Sequence, residues 1–380
     1  MRGERESNIE FLRLIACIGV IVIHIRPVPV TSDGVDRNAL VIAAVTATDS
    51  VAVFFAITGC FWFSHQNGWA KTTWKFIRTI FIPSSAIALM IMVFTPYIFS
   101  HSIWPSVIKP DITKYLAGFL TRDCYYYWGE ACGPYWYVFE FAGLVFLYPL
   151  LRAVCDGRHD RTAMFIVLAS IILMALSDAT AFLPDRSYDI QIYHILPMAA
   201  VEVLIGYLMY RYRDKYQGRR WATGALVGFI ALVMLRYILQ DALFEIDSSN
   251  SSFIAYDHCL APVVTIFLFV ISLNIHIRYC YVINKLASYT FYIYLIHYAV
   301  RIKLFQLGVF SELLKILNMY FSKLLLIDLI YTFVATAIIF IISLLFAFII
   351  KTIEEAISRI IKKLAFQLKS WKSSVEKRSI

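Results

Sequence analysis

The sequence predicts an all-α polytopic membrane protein of about ten transmembrane helices, with the N- and C-termini both cytoplasmic. Three observations predict it. Of 380 residues, 60% are hydrophobic and only 16% charged, with a mean hydropathy of +0.69, whereas soluble domains carry about 25% charged residues. Apolar runs long enough to cross about 30 Å of hydrocarbon recur along the chain. Lysine and arginine collect in alternate connections between those runs, which orients the helices.

The runs cover residues 10–26, 39–63, 77–99, 135–151 and 162–183, then 192–210, 221–240, 258–275, 286–304 and 322–350. With the N-terminus inside, the inner segments hold Arg2, Arg5, Lys71, Lys75, Arg152, Arg158 and Arg161. They also hold the cluster Arg211, Arg213, Lys215, Arg219 and Arg220, and later Arg278 and Lys285. The opposite connections are sparse in cations, and 241–257 has none. Ten spans return the chain to its starting side. Residues 1–350 read as one membrane domain and 351–380 as a basic amphipathic cytoplasmic tail, with Ile, Leu and Phe interleaved with Lys and Arg. The longest outer connection, 100–134, ends in an aromatic stretch from Tyr125 to Trp136. It suits either an interfacial belt or a cover over a cavity that takes sugar rings.

The net charge of +9 falls in short clusters between apolar runs, where it meets anionic lipid headgroups rather than nucleic acid. Seven cysteines do not make a disulfide framework. Cys17, Cys60, Cys155, Cys259 and Cys280 lie in or beside apolar runs and read as packing. Cys124 and Cys132 share the outer loop, where a bridge and two free thiols are both open. The first run has no small-residue cleavage site and is expected to stay as a helix. There is no internal repeat, no Gly-rich phosphate loop and no CxxC pair, so no metal site is expected.

An ionisable group in the hydrocarbon region costs about 2.5–3.5 kcal/mol on insertion scales and marks either a function or a buried pair. Those within the runs are His24, Asp49, Glu140, Glu202, Arg236, His297 and Asp328. Arg13 and His24 are eleven helical steps apart, which returns them to nearly one face and separates them by roughly 16 Å along the axis. An arginine near the membrane surface and an imidazole deep below it, on one stripe, suit a long anionic substrate with a reactive far end. A neutral imidazole works as a general base near pH 7; the plain alternative for His24 is an interfacial histidine bonded to a carbonyl. His297 lies at the same expected depth, which fits either a shared site or a packing role. Asp49 is a candidate to orient His24. Glu140 is either a second carboxylate of the site or half of a buried pair with Arg236, while Glu202 and Asp328 read as pairing residues. Lys75 and Arg78, three apart at an inner helix end, join Arg13 as candidate phosphate holders or form an ordinary positive flank.

Residues Arg5 through His24 resemble the first transmembrane segment of the acyltransferase family 3 membrane proteins, marked by an arginine and a histidine separated by ten residues. Val53-Phe-Phe-Ala-Ile-Thr58-Gly59 is similar to the family's FF-x-x-S-G, and Lys75-Phe-Ile-Arg78 with Pro83 to its inner Arg-x-x-Arg and proline. Gly133-Pro-Tyr-Trp136-Tyr-Val resembles its LWFL, and Tyr292-Ile-Tyr-Leu-Ile-His297 its IYLIH. Five such pieces in order cover about residues 5–350. Thr58 stands for serine, Lys75 for arginine and Glu10 for aspartate; lysine loses the bidentate fork.

The resemblance implies transfer of an acyl group, commonly acetyl, from cytoplasmic acyl-CoA to a hydroxyl of a cell-surface or lipid-linked carbohydrate. The enzyme would sit as a multi-pass protein in the cell (inner) membrane. Arg13, Lys75 and Arg78 would hold the CoA phosphates. His24 would act as base or would itself carry the acyl group, with Arg13, Asp49, Glu140 and His297 as the further catalytic candidates. A transporter or flippase of a glycan intermediate would also explain intramembrane charges, but no repeat or broken-helix pair points to one. A glycan polymerase or ligase is disfavoured by the modest outer loops.

Overall fold

A computed structural model describes residues 6–25, 30–31, 34–35, 49–63, 68–180, 182, 196–246, 258–321 and 324–376. Arg2, Arg5, Arg26, Lys377, Arg378, residues 39–48 of the second run and residues 247–257 lie outside them.

Among the described residues every one of the ten apolar runs is occupied by helix. The first four runs give α1 (Ser7–Ile25), α2 (Ser50–Trp62), α3 (Trp69–Phe76) continued through a π-turn (Ile77–Phe81) into α4 (Ile82–Val93), and α8 (Trp136–Val154). Between α4 and α8 lie the short helices α5 (Thr95–Ile98), α6 (Ile112–Thr121) and α7 (Cys124–Trp128) and a 3-10 segment, Glu130–Tyr135. Then come α9 (Asp160–Thr180), α10 (Met198–Arg211), α11 (Arg219–Ile246), α12 (Leu260–Asn274), α13 (Tyr281–Ala287), α14 (Thr290–Gln306), α15 (Val309–Tyr320) and α16 (Leu324–Glu376). A two-residue antiparallel pair, Val30–Thr31 with Gly34–Val35, is the extended pairing among the described residues, and the architecture is helical as expected.

Among the described residues six helical segments are long and apolar enough to cross a membrane, and a seventh if α14 and α15, bent by 66°, count as one span. The other expected spans are shorter here, α2 at 13 residues, α10 at 14 and α12 at 15. α10 is buried along nearly its whole length, so its apolar character serves helix contacts rather than lipid.

Glycine allows a close backbone contact between α2 and α10. A Cβ on Gly206 would lie 1.7 Å from the Ala56 carbonyl oxygen, and one on Gly59 would lie 2.0 Å from that of Val203. The Cys60 thiol reaches the Gly206 carbonyl at 3.4 Å. Small residues let two backbones touch where no hydrophobic gain from lipid is available.

The π-turn has a local cause. Pro83 has no N–H for the carbonyl four residues back, and the chain absorbs the mismatch with a wider turn in which Ile82 N–H bonds to the Ile77 carbonyl. Ser84 and Ser85 hydroxyls bond to the carbonyls of Ile80 and Phe81, each at 2.7 Å.

Polar networks tie the helices at both ends. At the start of α1, Glu6 accepts from the Tyr210 hydroxyl at 2.8 Å and from Arg213 at 2.7 Å. Asp160 accepts from Tyr207, Arg211 and Tyr212. At the far end, Lys303 donates to the carbonyls of Tyr97, Ser100 and Ser102. In the aromatic loop, Asp111 caps α6, and the Thr113 hydroxyl and the Lys114 N–H hold its carboxyl below the usual range. Trp128 is buried against Gly118 and donates to the Tyr115 carbonyl at 2.9 Å, while Tyr125 and Tyr126 are exposed. Cys124 and Cys132 are both buried as free thiols.

Candidate functional site

A cavity of about 610 Å³ lies between α1, α2, the π-turn, α8, α14 and α16. One end is polar: Arg13, Arg78, Ser288, Lys351, Glu354 and Glu355 line it, with Arg78 and both glutamates exposed. The other end is aromatic and buried, lined by Tyr137 and Tyr294. A smaller cavity of about 190 Å³ also has Arg13 on its wall and adds Lys75. Arg13 therefore faces both spaces, with Arg78 on one and Lys75 on the other. The spacing of three put Lys75 and Arg78 on one face; the π-turn separates their outlooks. Neither has a side-chain partner among the described residues, while Arg13 pairs with Glu10 at 3.0 Å.

The motif around Phe54 builds the cavity wall. Phe54 and Thr58 line it, Phe55 is buried and stacks on Tyr137 with centroids 4.7 Å apart, and Gly59 meets α10. The Thr58 hydroxyl donates to the Phe54 carbonyl at 3.0 Å. Tyr137 in turn packs on Tyr294 at 5.1 Å. The Tyr294 hydroxyl donates to the Pro134 carbonyl, pinning α14 to the 3-10 segment before α8.

One turn beyond Tyr294, α14 presents His297 to His24 of α1, ring centroids 5.1 Å apart. Tyr298 meets His24 edge-on at 4.8 Å. His297 Nδ1 lies 2.6 Å from the Tyr294 carbonyl. A carbonyl only accepts, so Nδ1 carries the proton and the neutral ring keeps a bare lone pair on Nε2. That Nε2 is buried without a hydrogen-bond partner among the described residues. Buried polar atoms are seldom left so. The cavity wall contains neither histidine; its aromatic end stops at Tyr294.

One arginine and one histidine on α1, with a second histidine on α14, thus lie along one seam beside the cavity. A family model described as an acyltransferase domain matches residues 6–351. The chain belongs to acyltransferase family 3. No curated protein and no solved structure matches it.

In this acyltransferase the remaining charged residues sort away from the seam. Asp49 does not orient His24. It holds Arg236 at 2.9 Å and lies 3.4 Å from His258 Nε2, all three being sealed from solvent. Glu140 pairs with Arg122 at 2.5 Å rather than with Arg236. Glu202, expected to pair, has no cationic partner among the described residues and lies beside the Thr265 hydroxyl. Asp328 is buried on α16. Among the described residues no group of His, Cys, Asp and Glu is arranged to hold a metal ion.

Sequence reasoning missed Tyr137, Tyr294 and Lys351 as cavity residues and His258 as a partner of Asp49. Tyr294 stands three residues before His297 inside a stretch already singled out, so helical spacing alone would have put it on the approach to the histidine.

Proposed function

We propose that this acyltransferase moves an acetyl or related acyl group from acyl-CoA to a hydroxyl of a cell-surface or lipid-linked carbohydrate, with both chain termini cytoplasmic. The single observation that supports this best is the arrangement of Arg13, Lys75 and Arg78 around two adjoining cavities, with the His24–His297 pair one turn beyond the aromatic end. Three cations from two helices suit a donor carrying several phosphates, bound by charge-assisted hydrogen bonds. The aromatic walls suit its slender arm.

His24 takes the proton of the acceptor hydroxyl as the hydroxyl oxygen bonds to the thioester carbonyl carbon. Collapse of that intermediate breaks the C–S bond, and the imidazolium returns its proton to the departing thiolate. The bare Nε2 of His297 gives the proton a second resting place beside His24. Asp49 and Glu140 keep no role in this scheme, since each is committed to an arginine elsewhere.

The test uses membranes containing the protein and acetyl-labelled acetyl-CoA. Label enters glycan with the native chain and not with His24→Ala at equal protein level, and mass spectrometry of surface glycans identifies the acetylated sugar. Glycan movement across the membrane without label incorporation would reject the reading.

A further inference from the structure

A second cavity, of about 400 Å³, lies on the other side of the bundle between α9, α10, α11 and α12 and shares no lining residue with the donor cavity. Its wall is apolar, with Val167, Ile171, Ile205 and Val270 among its residues. At one end stand three aromatic side chains with polar tips, Tyr212, Tyr216 and Trp221, the last two in edge contact at 5.2 Å. This is the arrangement of residues at the level of lipid headgroups. On the floor, a Cβ at Gly224 would meet nothing within 4 Å, although Gly228, one turn on, is packed tightly on the Phe267 ring.

The charges at that end are unequal in their commitments. Arg211 is bound to Asp160 and Arg213 to Glu6, and Lys215 lies over the Tyr212 ring at 4.6 Å. Arg219 and Arg220 start α11, are exposed, and have no side-chain partner among the described residues. Trp221, the next residue, is on the cavity wall. Arg219 and Arg220 therefore begin the helix whose next turns, from Trp221 to Ala225, form one wall of the apolar slot, and two of the helices around it are candidate membrane spans left mostly unburied by the bundle.

We propose that this groove is a binding site for an anionic glycerophospholipid of the surrounding bilayer, with one acyl chain along Gly224 and the phosphate at Arg219 and Arg220. Water does not fill an apolar slot at membrane depth, and a lipid chain does. Arginine matches the phosphate oxygens in bidentate fashion. Two basic residues near the surface correspond to a preference of roughly 10- to 30-fold for an anionic over a zwitterionic headgroup.

The experiment measures lipid retained on the full-length protein by native mass spectrometry, with dioleoyl phosphatidylglycerol and dioleoyl phosphatidylcholine competing at equal concentration. The native chain is expected to retain phosphatidylglycerol in that excess. Arg219→Gln with Arg220→Gln should bring the two lipids to parity, and Gly224→Leu should lower retention of both while leaving the headgroup preference. Arg78→Gln, in the donor cavity, should change neither, which separates this site from the proposed donor site. Equal retention by the native chain, or a preference unaltered by the double substitution, overturns the proposal. So does displacement of phosphatidylglycerol by an equal amount of polyprenyl phosphate, which would make the groove an acceptor site.

Discussion

Two parts of the molecule bring charge below the membrane surface and treat it differently. Along the α1–α14 seam, Arg13 keeps 24% of its side chain exposed and borders two cavities, and His297 carries an unsatisfied nitrogen. Between α2, α11 and α12, Asp49 holds Arg236 at 2.9 Å and lies 3.4 Å from His258, and each of the three is at most 2% exposed. The difference teaches that an ionisable residue in a membrane span is not by itself a sign of chemistry. What separates the two sets is that Arg13 borders open space, whereas Asp49, Arg236 and His258 line neither of the cavities around it.

Four measurements can break or sharpen that contrast. The largest effect is expected for His24→Ala, which should lower transfer by about 10²- to 10⁴-fold, the range for a lost general base, with little change in melting temperature. Arg236→Ala should do the reverse. Stranding Asp49 without its cation is expected to destabilise the fold by about 3–5 kcal/mol, read as a fall in melting temperature and in protein level. Asp49→Asn added to that variant should restore part of the loss. If Arg236→Ala were inactive yet as stable as the native chain, the sealed cluster would belong to the reaction after all.

Arg78→Gln comes next. A charged hydrogen bond is worth about 1.5–3 kcal/mol, so the Michaelis constant for the acyl donor should rise about 10- to 100-fold, with kcat nearly kept. A loss confined to kcat would move Arg78 out of the donor-holding role. The smallest effect belongs to Gly206→Ala, where overpacking against the Ala56 carbonyl should cost about 1–3 kcal/mol. Activity should fall with it, because Thr58 on α2 lines the cavity. An alanine accepted there without loss would show that α2 and α10 separate easily.

What could be read from the sequence follows from what is periodic. Helical rise alone placed His24 and His297 at one level, and their rings stand 5.1 Å apart. The membrane class, the order of the apolar runs and the family were legible because each rests on residues close together in the chain. The pairing of Asp49 was not, since Arg236 is 187 positions away and neither helix carries a mark of which neighbour it will meet. The partner of Glu140 was hidden for the same reason, Arg122 lying in a loop with no period. The short length of α10 was hidden too, because a helix buried in protein and one facing lipid are equally apolar.

The widened turn at Ile77–Phe81 amounts to one surplus residue lodged in an otherwise regular rod. Removing a single residue there would swing Lys75 and everything before it around the axis relative to Pro83 and everything after, while each half kept its own neighbours. Relatives of this chain that differ by one position in that stretch would thus be expected to read a differently shaped donor, a change in preference reached through a change in chain length alone.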